Sequence, residues 1–287
     1  MATTNIIGAV HILLSVTAFL GNSLILVALN KETSLHPPSK LLYRCLATTD
    51  LLVGLVAQPL YATWIFLDPW TLEDWKIFAY VQNATNITGY LLGGVSLLTM
   101  TAISVDRLLA LLLGLRYKQI VTLKRTFIIV ATIWVSTLVA SVCVIFDYHI
   151  TILYSIIFTA ICLVISITSY IKVFCVLHHH HAQVQDHSQQ QPSQPNALNT
   201  ARYRKAVYSA LWTQSALVVC YAPHFVLRII VRHSKTYPLH LQVIGEIAVV
   251  LVYFNSTLNP FLYCWKISEV RRAVKQTVRQ ALCYTWG

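Results

Sequence analysis

The chain has 287 residues, 56% of them hydrophobic and only 11% charged, with a net charge of +11. A soluble domain carries roughly 25% charged residues, so a water-facing globule is excluded. In a soluble protein the positive balance would suggest nucleic acid; here it reads as loop charge sorted across a membrane.

Seven apolar runs, roughly 6–29, 41–67, 77–105, 126–146, 150–177, 206–231 and 241–264, can each cross a bilayer as a helix, since about 18 apolar residues suffice. They predict an all-α membrane protein, a seven-transmembrane helix bundle forming one domain over 1–287. With the N-terminus outside, Lys31, Lys40, Arg44, Arg116, Lys118, Lys124, Arg125, Arg202, Arg204, Lys205, Lys266, Arg271, Arg272, Lys275 and Arg279 fall inside. The outer side keeps Lys76, Arg228, Arg232 and Lys235 against Asp68, Glu73, Asp74, Asp147 and Glu246. This asymmetry predicts an extracellular N-terminus and a cytoplasmic C-terminus. The few residues before the first run include no basic one, so that run is expected to serve as its own uncleaved membrane signal. Of the seven cysteines none lies in an outer loop, so no disulfide is expected there.

The second run carries Asp50 in "LATTDLLVG" and then Pro59. A carboxylate in a spanning helix costs roughly 2.5–3.5 kcal/mol on insertion scales, so Asp50 needs partners. Ser96 on the third helix and Asn255, Ser256 and Asn259 on the seventh are the candidates. Their oxygens suit a sodium ion or a water cluster, and the sequence leaves both open. The third run ends in "ISVDRLLALLLGLRYK". There the pair Asp106–Arg107 is cheaper than either charge alone. Arg107 reads equally as a charge held at the inner mouth or as a snorkelling side chain.

The fourth and fifth runs are joined by almost nothing, around "DYHI". After the fifth comes a flexible link, 178–201, rich in Gln, Ser, Pro and Asn and containing the histidine run His178 to His181. The sixth run contains Pro223 in "VVCYAPHFV", and the seventh contains Pro260 in "NSTLNPFLY". Each proline removes a backbone bond and predicts a kink or hinge. On the outer half of the sixth helix, Tyr221, His224, Phe225 and Arg228 share about one face. Gly89, Tyr90 and Gly93 leave space opposite, and Tyr253 and Glu246 close the far side of a candidate ligand pocket. The alternative is aromatic core packing with Arg228 at the lipid headgroups. The acidic outer residues suit a basic peptide and Arg228 with Arg232 an acidic lipid or nucleotide, so the ligand stays open. Residues 266–281 form a basic amphipathic helix for the inner membrane surface. Cys283, just beyond, is either a palmitoylation site or an untouched thiol.

A transporter or channel would need a path of intramembrane charges or internal repeats, and Asp50 is nearly the only deep charge. A membrane hydrolase lacks a nucleophile–base or zinc-ligand spacing, so no enzyme is expected.

Taken together these residues resemble the rhodopsin-like (class A) G-protein-coupled receptors over nearly the whole chain. The marks are Gly21–Asn22, "LATTD" ending at Asp50, "DRL" at Asp106–Leu108, Trp134, Tyr170, "CYAP" at Cys220–Pro223 and "NPFLY" at Asn259–Tyr263. The resemblance implies a heterotrimeric G protein as cytoplasmic partner, an extracellular ligand still unknown, and the lipid bilayer as setting, with no nucleic acid. It implies an activation switch of Asp106, Arg107, Tyr170, Tyr221, Pro223, Asn259, Pro260 and Tyr263. It also implies a sodium and water site at Asp50, Ser96, Asn255 and Asn259, joined by Asn22; no other cofactor is implied. Gly89 stands where bioamine receptors have an aspartate, and Tyr253 where opsins have the retinal lysine, so neither ligand type is expected. Gln82 replaces the usual third-helix cysteine, Cys162 the fifth-helix proline, Tyr221 the sixth-helix tryptophan, Leu108 a tyrosine and Tyr203 the acidic partner of Arg107. The very short second outer loop, with no third-helix cysteine and no fifth-helix proline, looks like the melanocortin, cannabinoid and lysolipid receptor branch, whose broad cluster includes the adenosine receptors, although those keep features missing here. The departures also keep a non-signalling seven-helix protein in play.

Overall fold

The computed structural model describes residues 2–31, 35–67, 75–188, 195–234, 238–266 and 268–285. Asp68, Glu73, Asp74 and Lys235 lie outside them, as do the side chains of His180, His181, Arg202, Tyr203, Arg204, Lys205, Lys266, Ile267 and Cys283. The described chain is helical throughout and carries seven helices long and apolar enough to cross a membrane. We label them α1 (Ala2–Lys31), α2 (Pro37–Phe66), α3 (Trp75–Leu113), α4 (Leu123–Val142), α5 (Tyr148–Ser188), α6 (Pro195–His233) and α7 (Leu239–Lys266), followed by α8 (Ser268–Thr285).

Three helices outrun their apolar stretches. α3 continues to Leu113 because nothing breaks it before Gly114, whose φ of +50° turns the chain. α5 reaches Ser188 and α6 begins at Pro195, so the segment 178–201 is helix on both sides of residues 189–194. Composition predicted a flexible link there; no proline or glycine interrupts the chain between Tyr148 and Ser188.

α2 and α3 form the centre. Leu42, Tyr43 and Leu46 of α2 pack with Leu97, Met100 and Ile103 of α3, and with Ile25 and Leu29 of α1, Leu217 of α6 and Tyr263 of α7. The outer surface is apolar, with Phe127, Val135 and Val139 of α4 and Ile157, Ile161 and Val164 of α5 exposed. That is a lipid-facing surface, since no water there needs polar partners. α8 is amphipathic as expected, but Val270 is fully buried in the core that α1 shares, and Lys31 Nζ donates to Gln280 Oε1 at 2.8 Å.

Two of the three expected proline distortions have a visible repair, and both repairs come from α1. Pro59 follows a π turn, Val53–Ala57, in which Gln58 N donates to Val53 O. In that register the next donor, to Gly54 O, would be Pro59, which has no N–H. Ser15 Oγ supplies it instead, at 2.6 Å from Gly54 O. In α7 Pro260 withholds the N–H due to Ser256 O. Asn22 Nδ2 takes its place at 3.0 Å, while also donating to Ala18 O at 2.8 Å. The side-chain donors of α1 thus allow two prolines inside the bundle.

Close approach at the first repair needs glycine. A Cβ at Gly54 would sit 2.7 Å from Phe19 N and 2.8 Å from Ser15 O, both backbone atoms. Gly54→Ala is therefore expected to destabilise the fold by about 1–3 kcal/mol through overpacking. Thermal unfolding of the solubilised protein checks this, with Gly93→Ala, which meets nothing within 4 Å, as the tolerated control.

Candidate functional site: a cavity and a charge cluster at opposite ends

At the end of the bundle that holds the N-terminus, a cavity of about 770 Å³, counting its open mouth, lies between α3, α4, α5 and α6. The candidate residues Gly89, Tyr90, Gly93, Tyr221, His224, Phe225 and Arg228 all line it. Tyr253 lines a second lobe that shares Gly89, Tyr90, Gly93, Tyr221, His224 and Arg228. A Cβ at Gly89 would meet Tyr253 Oη at 3.3 Å, a tight contact where the two lobes adjoin. Arg228 is tied in two ways: its Nε donates to His224 Nε2 at 3.2 Å, and its guanidinium lies 5.9 Å from the centre of the Tyr90 ring.

Glu246 requires a correction. It does not line this cavity. Tyr61, which lines the second lobe, donates its Oη to the Glu246 carboxylate at 2.7 Å, and Glu246 itself lines a further opening beside Thr4, Ile7 and Trp64. Tyr61 was not a predicted site residue. Nor were Thr137 and Ser141 of α4 or Tyr154 and Phe158 of α5, which complete the cavity wall. The sequence offered no signal for them, because polar spots in spanning helices point equally to packing.

Half-way down, Asp50 is fully buried. Asn259 Nδ2 donates to it at 2.6 Å and Ser96 Oγ at 3.4 Å. Two other expected members are placed differently. Asn255 Nδ2 donates to Met100 Sδ at 3.2 Å, and Asn22 reaches the Ser256 carbonyl rather than Asp50. Oδ1 of Asn255 and Oδ1 of Asn22 are both buried without a hydrogen-bond partner. Asn255 stands one turn from Asn259 on the same face of α7, so an acceptor oxygen is left on the α7 face that meets Asp50. One carboxylate with spare amide and hydroxyl oxygens fits a hard monovalent cation or water.

At the other end, 18 residues beyond Gly89 and about 27 Å along α3, Asp106 and Arg107 form a closed cluster. Arg107 Nη2 donates to Asp106 Oδ2 at 2.7 Å and to Ser39 Oγ at 2.6 Å. Ser39 Oγ donates to the same carboxylate oxygen at 2.9 Å, and Tyr117 Oη donates to Oδ1 at 2.6 Å. Asp106 is 5% exposed while the Arg107 side chain is 34% exposed, so the acid is buried and the base faces the opening. The Arg107 guanidinium lies 5.9 Å from the Tyr43 ring centre, and Tyr43 packs edge-on against Tyr263 at 5.3 Å. Tyr263 therefore reaches Arg107 only through Tyr43, and its buried hydroxyl has no hydrogen-bond partner. Among the described residues no hydrogen bond joins Tyr170 to Arg107. Ser39, Tyr43 and Tyr117 were not predicted. The first two were findable, since Ser39, Tyr43, Leu46 and Asp50 recur at spacings of 4, 3 and 4 on the buried face of α2.

A cavity at one end, a charge cluster at the other and seven helices long and apolar enough to cross a membrane between them make a seven-helix membrane bundle with two separate sites. The family of 7 transmembrane receptors (rhodopsin family) matches residues 21–263, and the chain belongs to it.

Proposed function

We propose that this chain passes the binding of an extracellular ligand to a cytoplasmic heterotrimeric G protein. It sits in the plasma membrane with its N-terminus outside. The observation that carries the reading is the Asp106–Arg107–Ser39–Tyr117 cluster. It holds a partly exposed arginine by hydrogen bonds to Asp106 and Ser39, while Tyr117 donates to the same buried carboxylate. α6 supports the same reading. Its outer half contributes Tyr221, His224, Phe225 and Arg228 to the cavity, Pro223 interrupts its backbone bonding, and the helix runs back from there to Pro195. A ligand that prefers one position of α6 shifts the population of the whole helix. Sodium or water at Asp50 would link the two ends, held by Asp50, Ser96 and Asn255.

The test is guanine-nucleotide exchange on a panel of G proteins, with the receptor and its Arg107→Ala variant in membranes at equal surface expression. Exchange above receptor-free membranes that disappears in Arg107→Ala is the expected result. Exchange that is equal in both proteins would overturn the role of Arg107.

A further inference from the structure

The opening that Glu246 lines lies beside the ligand cavity, between the outer ends of α1, α2, α3 and α7, with a volume of about 1110 Å³ counting its mouth. Its wall is mostly apolar, built from Ile7, Ile65, Leu67 and Val243 with the rings of Trp64 and Phe78. Trp64 Nε1 is buried, so that side chain presents ring carbon to the opening and not its N–H. Among the described residues Glu246 is the one charged group in the lining, and no arginine, lysine or histidine joins it there.

Glu246 is half-buried, and its carboxylate is only partly used. An ionised carboxylate accepts at about four lone-pair positions. Tyr61 Oη fills one of them, on Oε2. No described side chain donates to Oε1, and no described cation pairs with the group. A charge drawn out of water is normally paired, so this oxygen suits a cation brought by a ligand. A bare metal ion is a poor occupant, because hard cations take about six or more oxygen ligands and the wall is mainly hydrocarbon. The Trp64 and Phe78 rings favour an organic cation instead, since an aromatic face attracts positive charge and the same rings accept a hydrocarbon body.

We propose that this opening is a second ligand site, which takes a small organic ammonium: its N–H groups donate to Glu246 and its apolar body lies against Trp64, Phe78 and Val243. The site goes beyond the receptor reading and does not depend on it. It is separate from the ligand cavity, where Arg228 places positive charge on the wall. One hydrogen bond joins the two, because Tyr61 lines the second lobe of the cavity and donates to Glu246.

The test uses the full chain in nanodiscs of neutral phosphatidylcholine, with empty nanodiscs subtracted, and three probes that share one body: phenylbutylamine, phenylbutanol and phenylbutyrate. Saturable binding of the amine at least about tenfold tighter than the alcohol is expected, the difference being one charge-assisted contact, with the carboxylate weakest. Glu246→Gln, which keeps an acceptor for Tyr61, is expected to erase the preference for the amine, and Glu246→Asp to retain part of it. Val243→Phe, which fills the opening, is expected to weaken the amine with the charge left in place. Lys235 lies outside the described residues, four positions before Leu239, and Lys235→Gln is expected to leave the amine affinity unchanged. A tenfold gain in Lys235→Gln would show that the chain's own lysine holds the carboxylate, and would overturn the proposal. Amine binding that is weakened by Gly93→Leu and indifferent to Glu246→Gln would place the probe in the larger cavity, and would overturn it too. So would alcohol bound as tightly as amine, or no saturable amine binding by protein that elutes as a single folded species. Nucleotide exchange reads the receptor function separately, so either reading can fail alone.

Discussion

Asp106→Asn is expected to raise ligand-independent nucleotide exchange about tenfold, corresponding to roughly 1.4 kcal/mol of lost restraint. The Asp106 carboxylate receives three donors, from Arg107, Ser39 and Tyr117, at 2.6–2.9 Å. Asparagine removes the charge that strengthens all three and turns one acceptor into a donor facing donors. Charge-assisted bonds are worth about 1.5–3 kcal/mol, so the loss is large enough to free Arg107 from its ground-state position. The Ser39 contact at 2.6 Å survives, which is why partial release is expected and not complete activation. Ser39→Ala is expected to act in the same direction with a smaller effect, and Asp106→Glu to stay near the parent protein. The double variant Asp106→Asn with Arg107→Ala should return to background. The check is labelled-nucleotide binding at matched surface expression. Exchange lower in Asp106→Asn than in the parent protein would mean that the carboxylate supports the active arrangement instead of restraining it.

The spans were legible from hydropathy because a bilayer tolerates few charges, and all seven helices fall where the apolar runs lie. Helix ends were less legible, since α3, α5 and α6 continue wherever no residue stops them and hydropathy reads only the part in lipid. Within the sites, long-range partners divided by chemistry. Asp50 found Asn259 and Ser96 because a lone buried carboxylate has few donors to choose from. Asn255 could turn to Met100 or to Asp50, and only packing decided. Glu246 was read as a wall of the ligand cavity because it is a charge near the outer end of α7. Tyr61, a residue with no charge to advertise it, stands between Glu246 and the second lobe, so Glu246 lines a neighbouring opening instead. The role of Ser15 and Asn22 in replacing the N–H groups missing at Pro59 and Pro260 needs the helix pairing. Sequence spacing does not reveal which α1 side chain faces which proline.

The bundle also buries two polar side chains that none of these functions uses, and they lead to the second large expectation. Ser15 of α1 meets Gly54 of α2, and the two helices run antiparallel. One turn further along each helix come His11 and Gln58, which therefore occupy matching positions. Both are fully buried. Neither ring nitrogen of His11 and neither amide atom of Gln58 has a hydrogen-bond partner. Aromatic rings seal His11 in, with Tyr61 at 4.6 Å and Tyr253 at 5.5 Å between ring centres. A buried polar group without a partner costs about 1–3 kcal/mol, and enclosed water recovers part of that. The double variant His11→Leu with Gln58→Leu is therefore expected to raise the unfolding temperature of the solubilised receptor by about 5 °C, taking a net gain of about 1–2 kcal/mol. Each single variant should give less than half of this, because each leaves the other group buried. A lower unfolding temperature in the double variant would show that the pair is already satisfied, by enclosed water or by each other, and that polarity at this level stabilises the packing of α1 on α2. The sign of the shift matters for the ligand cavity too, since Tyr253, which closes over His11, lines its second lobe.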